Sequence, residues 1–196
     1  FVLGNIDPLT VSSNYVFKVQ LKKYGTGSTW FSRFRRQYGI KGLLKVVGVE
    51  IMMDIFPILI GGMLFGIKGQ AEIGRALGAF VLILCRCFPV VGNFTGKDGM
   101  IPLMIGLPFM YTSVGVIAIV LMVVLFFGLR YKTFAVIVGG LAAIAGAFAL
   151  IDNLILMRLC VYAGAAVIIR SLPALRTLMK DGEERVEFKE DLTYKL

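Results

Sequence analysis

The chain has 196 residues, 58 % hydrophobic and 17 % charged, where an ordinary soluble domain has about 45–50 % and about 25 %. A soluble fold this small has too much surface to shelter so much apolar side chain, so the composition excludes one and predicts an all-α polytopic membrane protein. His is absent, which removes the Ser-His-Asp triad, the imidazole base and the usual zinc enzyme site, and neither a metal nor a cofactor is expected.

In chain order, residues 1–11 read as the end of a span whose beginning lies before Phe1, and a chain that starts with Phe is expected to be part of a longer polypeptide. Residues 12–41 form a basic connection with Lys18, Lys22, Lys23, Arg33, Arg35, Arg36 and Lys41. Within it, 28–41 set Trp30, Phe31, Phe34 and Tyr38 against Arg33, Arg36 and Gln37. That pattern suits a short helix lying in the membrane interface, the alternative being a basic loop with interfacial aromatics. Apolar runs then predict helices at 42–66, 71–91, 99–111, 113–129, 133–151 and 152–170. With the first, partial span they make a compact seven-span bundle in a single domain. The tail, 171–196, is charged and expected to be solvated.

Charge sets the orientation. The net charge is +9, and residues 1–179 hold seventeen basic and six acidic residues. The basic residues recur in every second connection: 12–41, Lys97, Arg130 with Lys132, then Arg170, Arg176 and Lys180. The positive-inside rule places those connections and the C-terminus in the cytoplasm and the N-terminus outside. Basic residues between spans meet lipid headgroups, so membrane lipids are the expected partners and nucleic acid is not. Cys85, Cys87 and Cys160 lie inside apolar runs and read as small core hydrophobes.

Two glycine-punctuated loops fall on the predicted cytoplasmic face, at 22–28 and 92–99. Glycine lets backbone N–H groups approach an anion closely, and Lys22 and Lys97 add charge, so the loops are candidates for phosphate binding as well as ordinary helix connections. Charges inside the spans are the second clue, since hydrocarbon penalises them. Glu50 and Asp54 share a helix face, while Arg75, Arg86 and Arg158 lie in or near other spans. Ion pairs that hold helices together are the plain reading, and Arg86 is expected to pair with Asp98 across the second loop.

The order of these motifs resembles the bacterial acyl-phosphate:glycerol-3-phosphate acyltransferases of the PlsY type. Gly4-Asn5-Ile6 resembles the Gly-Ser-Ile-Pro that ends their first span. Gly25-Thr26-Gly27-Ser28 falls at their Gly-Ser-Gly-Asn, with Lys22 at an Arg. Glu50 and Pro57 have the spacing of their Asp and Pro. Cys87-Phe88-Pro89 followed by Phe94, Gly96 and Gly99 resembles their His-x-Phe-Pro and Phe-Lys-Gly-Gly-Lys-Gly. Arg130-Tyr131-Lys132-Thr133 is similar to their Arg-Tyr-x-Ser, and Arg170 and Gly182-Glu183-Glu184 to their closing motifs.

The resemblance implies a bacterial inner-membrane enzyme of phospholipid synthesis that transfers an acyl group from acyl phosphate to glycerol 3-phosphate or a related polar acceptor. It implies that Thr26 and Ser28 orient the acceptor. Lys22, Arg33, Arg86 and Lys97, with backbone N–H groups around Gly25, Gly27, Gly96 and Gly99, would hold phosphate. Several polar family residues are replaced: Ser28 and Arg33 stand at Asn positions, Met53 at a Lys, Arg86 at the His and Asp98 at the Lys of the second loop. Ser171 and Ala174 stand at the closing His and Asn. Glycines, prolines and aromatics are kept. An altered acyltransferase and a non-catalytic lipid-binding or scaffolding subunit with a protein partner are therefore both expected, with a small transporter component as a third reading.

Overall fold

In a computed structural model the described residues are 28–89, 99–129 and 132–181, and all their regular structure is helical. Six helices follow in order: α1 Ser28–Gly66, α2 Ala71–Cys87, α3 Met100–Met110, α4 Thr112–Leu129, α5 Lys132–Leu150 and α6 Leu154–Asp181. Three segments are long and apolar enough to cross a membrane, Val47–Gly66, Thr133–Leu150 and Leu154–Arg176, and Met100–Met110 and Thr112–Gly128 are shorter apolar helices. Residues 1–27, 90–98, 130–131 and 182–196 lie outside the described residues, and with them the 1–11 segment, the first half of the basic 12–41 connection, both glycine loops but for Ser28 and Gly99, Arg130 with Tyr131, and the end of the tail.

Four helices match the expected ranges to within a few residues, and two run further. α1 starts at Ser28 rather than 42, so the segment read as a separate interfacial helix is continuous with the span behind it. Its 39 residues reach about 58 Å at 1.5 Å per residue, far more than the roughly 30 Å of hydrocarbon. No proline interrupts 28–56, and single glycines weaken a helix without ending it. α6 likewise passes through Pro173 to Asp181, with Leu172, Leu175 and Leu178 continuing its apolar content.

The bundle buries small residues along its helix contacts and leaves many large apolar ones on its surface. Ala76, Ala79, Ala118, Ala143, Ala147 and Ala163 are fully buried, while Met52, Phe56, Val124, Phe127, Phe148 and Ile169 are exposed. Small residues inside let backbones approach and gain dispersion contact, and large apolar residues outside meet lipid tails. Two helix pairs show this most clearly. A Cβ on Gly74 of α2 would collide with the Gly61 carbonyl oxygen of α1, and one on Gly164 of α6 would lie 2.8 Å from the Gly140 carbonyl oxygen of α5. The short α3 stands in the middle, packed on α2, α4, α6 and α1, with Leu103 and Leu107 fully buried. A single extended residue, Tyr111, joins it to α4.

Candidate functional site at one end of the bundle

The helix crossings fix which residues share a level. α1 and α2 are joined by a short turn, and Gly78 packs against Pro57 and Ile58. Arg86, two turns beyond Gly78, lies roughly 12 Å further along α2, which brings it to the level of Glu50 and Asp54. In the other pair Gly140 faces Gly164, so Thr133 and Ser171, each two turns away, come to one level about 10 Å beyond the crossing. Gly99, at the start of α3, is held between the two halves: a Cβ there would meet Cys87 Sγ at 2.7 Å and Val167 Cγ2 at 3.3 Å. The end of α2, the start of α3, the start of α5 and the middle of α1 and α6 therefore converge at one end.

Among the described residues, the buried polar and charged side chains gather here. Glu50, Asp54, Arg86, Thr133 and Ser171 are all buried. Arg86 donates from Nε to Asp54 Oδ1 at 3.0 Å and from Nη2 to the same oxygen at 2.6 Å. Asp54 is wholly buried and Arg86 is 6 % exposed. The Ser171 hydroxyl donates to the Val167 carbonyl oxygen at 2.8 Å, one turn back on its own helix. Gly99 has φ +70°, the left-handed region open to glycine, and caps α3. That conformation and the Cys87 contact give one physical reason for glycine at the last position of the second loop.

Of the sequence-predicted site residues, Arg86 and Gly99 are found together at this end, linked through the neighbouring Cys87. Ser28 and Arg33 fall in the first turns of α1, with their side chains outside the described residues. Lys22, Gly25, Thr26, Gly27, Gly96 and Lys97 are outside them altogether. Arg86 makes an ion pair with Asp54 of α1, a partner the sequence reading did not name; Asp98, the partner it expected, lies outside the described residues. The cue was present: an arginine ending an apolar span needs a carboxylate at its own depth, and Glu50 and Asp54 are the acids inside the other spans. The three cysteines sit in the apolar core as expected, all buried and free.

No protein-family model matches the chain. The glycerol-3-phosphate acyltransferases of Thermoanaerobacter pseudethanolicus and of a second Thermoanaerobacter strain are each 25 % identical over 118 residues, 60 % of this chain. The match spans about half the length of those curated relatives, 52 %. Among solved structures, the glycerol 3-phosphate form of PlsY (YgiH), an integral membrane glycerol 3-phosphate acyltransferase, superposes with TM-score 0.74 at 19 % identity, over 98 % of this chain and 94 % of that one. Its lysophosphatidic acid form gives 0.72 at 19 % identity, over 97 % and 93 %. The resemblance carried by scattered glycines, prolines and aromatics thus extends to three dimensions: this chain has the fold of the integral membrane acyltransferase PlsY.

Proposed function

We propose that the chain is a membrane glycerol-3-phosphate acyltransferase-like protein, joining an acyl group from acyl phosphate to glycerol 3-phosphate or a related polar acceptor. The observation that carries this reading is the likeness to PlsY over 98 % of the chain, supported by two curated relatives of that name. In the same reading it is a seven-span protein of the bacterial inner membrane, with its N-terminus outside. The C-terminus and the end of the bundle bearing Arg86 and Gly99 face the cytoplasm. Membrane lipids and the two substrates are its partners.

The chemistry asks little of a base. An acceptor hydroxyl attacks the carbonyl carbon of the acyl phosphate and forms the ester C–O bond. The bond from that carbon to the phosphate oxygen breaks, and the departing phosphate takes the hydroxyl proton. Activation resides in the substrate, so a site without His can serve if it orients the acceptor and stabilises the developing oxyanion and the leaving phosphate. In this proposal Thr26 and Ser28 orient the acceptor, and Lys22, Arg33 and Lys97 with N–H groups near Gly25, Gly27, Gly96 and Gly99 hold phosphate. Arg86 serves Asp54 instead of substrate, because a guanidinium that gives two donors to a buried carboxylate has its charge offset.

The same pair favours a second reading, a non-catalytic lipid-binding or scaffolding relative, since it fills a position of family chemistry with an internal brace. Purified protein incubated with acyl phosphate and glycerol 3-phosphate separates the two. The acyltransferase reading expects lysophosphatidate and phosphate in equal amounts; a folded protein that forms neither supports the scaffold.

A further inference from the structure

At the opposite end of the bundle a cavity of about 470 Å³ opens between the start of α2, the α3–α4 junction and the start of α6. Its charged lining is Glu72 and Arg75, three residues apart on one face of α2. Side chains so spaced are placed to pair, yet among the described residues neither makes an ion pair or a side-chain hydrogen bond, and Arg75 Nε is buried without a partner. The Arg75 stem packs over Gly62 of α1, where a Cβ would fall 2.6 Å from Arg75 Cγ. Tyr111 and Ser113, at the start of the 18-residue α4, line the same space. The first-turn N–H groups there have no carbonyl partner within their helix and carry partial positive charge.

The lining thus offers an anion two sources of positive potential and offers a cation one carboxylate. We propose that this cavity binds the headgroup of a zwitterionic phosphodiester of the phosphoethanolamine class. The phosphate lies on Arg75 and the first turn of α4, and the ammonium on Glu72. Side chains three apart on a helix share one face, so a carboxylate and a guanidinium there can meet an ammonium and a phosphate joined by two carbons. A glycerol headgroup supplies the anion but leaves Glu72 facing it without a cation, so the pair of charges selects as well as binds. The site depends on the membrane fold and not on acyl transfer.

Protein purified from nanodiscs of mixed ethanolamine and glycerol phospholipid is weighed by native mass spectrometry. The expected result is one ethanolamine phospholipid retained per chain in preference to the glycerol lipid. Arg75→Gln and Glu72→Gln should each cut that retention about tenfold, the loss of one charge-assisted contact. Ser113→Phe, at an exposed rim position, should block entry without disturbing the core. Phosphoethanolamine without acyl chains, added as competitor, separates the sources: displacement shows that the headgroup suffices, and no displacement shows that the lipid's chains are needed to seat it. Equal retention of the two lipid classes, or unchanged retention in all three variants, would overturn the proposal. Arg75→Gln should leave lysophosphatidate formation at the wild-type rate, so failure here and failure of the acyltransferase reading are read separately.

Discussion

Arg75 and Arg86 stand on the same helix, about 16 Å apart along its axis, in opposite circumstances. Arg86 is buried and gives two donors to one oxygen of Asp54. Arg75 is half-buried, lines a cavity and makes no ion pair among the described residues. An arginine inside a membrane bundle is therefore not by itself evidence of a ligand site. What decides is whether the fold supplies its counter-charge: at the Arg86 end it does, and at the Arg75 end the space is left open.

The largest expected effect tests the closed end. Asp54→Ala strands a buried guanidinium and should destabilise the protein by ~3–5 kcal/mol, read as a lower melting temperature in detergent. Arg86→Ala should cost a similar amount, and the double variant should recover part of it, since the two residues act as a unit. Additive losses would break the comparison, because Arg86 would then be serving something other than Asp54.

The second effect is smaller. Gly99→Ala forces a left-handed backbone on alanine and pushes a methyl against Cys87, a cost of about 1–2 kcal/mol. Gly62→Ala at the open end meets only the flexible Arg75 stem, which moves aside, so its cost should stay below about 1 kcal/mol while ethanolamine-lipid retention falls. The smallest effect is that of Arg75→Gln, which breaks no ion pair and should change stability by no more than about 0.5 kcal/mol. A large loss of stability there would mean that Arg75, like Arg86, is a brace.

Much of this was legible in the residues. The starts of α2 to α5 fall within a residue of those read from the apolar runs, because hydrophobic length sets membrane helices directly. The end of α6 was less legible, since Pro173 suggests a stop that the helix passes. The beginning of α1 was obscured by the change from aromatic-basic to apolar composition at 41, which marks a change of solvent and not of backbone. At the site, glycines carried most of the information. Gly99 has a positive φ and a tight contact, and such constraints outlast changes in polar side chains. The Arg86–Asp54 pair joins residues 32 apart in sequence; its register follows from the Gly61, Gly74 and Gly78 crossing, which no local pattern announces. Lys22, Thr26, Lys97 and their neighbours lie outside the described residues, so their roles rest on the resemblance.

The proposal in most need of a test is that acyl transfer, if the chain carries it out, takes place at the Arg86 end while Arg86 itself serves Asp54. Its most direct test is lysophosphatidate formation by a variant in which the pair becomes apolar, Asp54→Leu with Arg86→Met, an exchange that buried ion pairs tolerate when volume is kept. The account predicts a folded protein with activity within about threefold of wild type, while Lys97→Ala loses at least about tenfold. A double variant that melts at the wild-type temperature yet loses activity as Lys97→Ala does would contradict it and return Arg86 to the substrate phosphate.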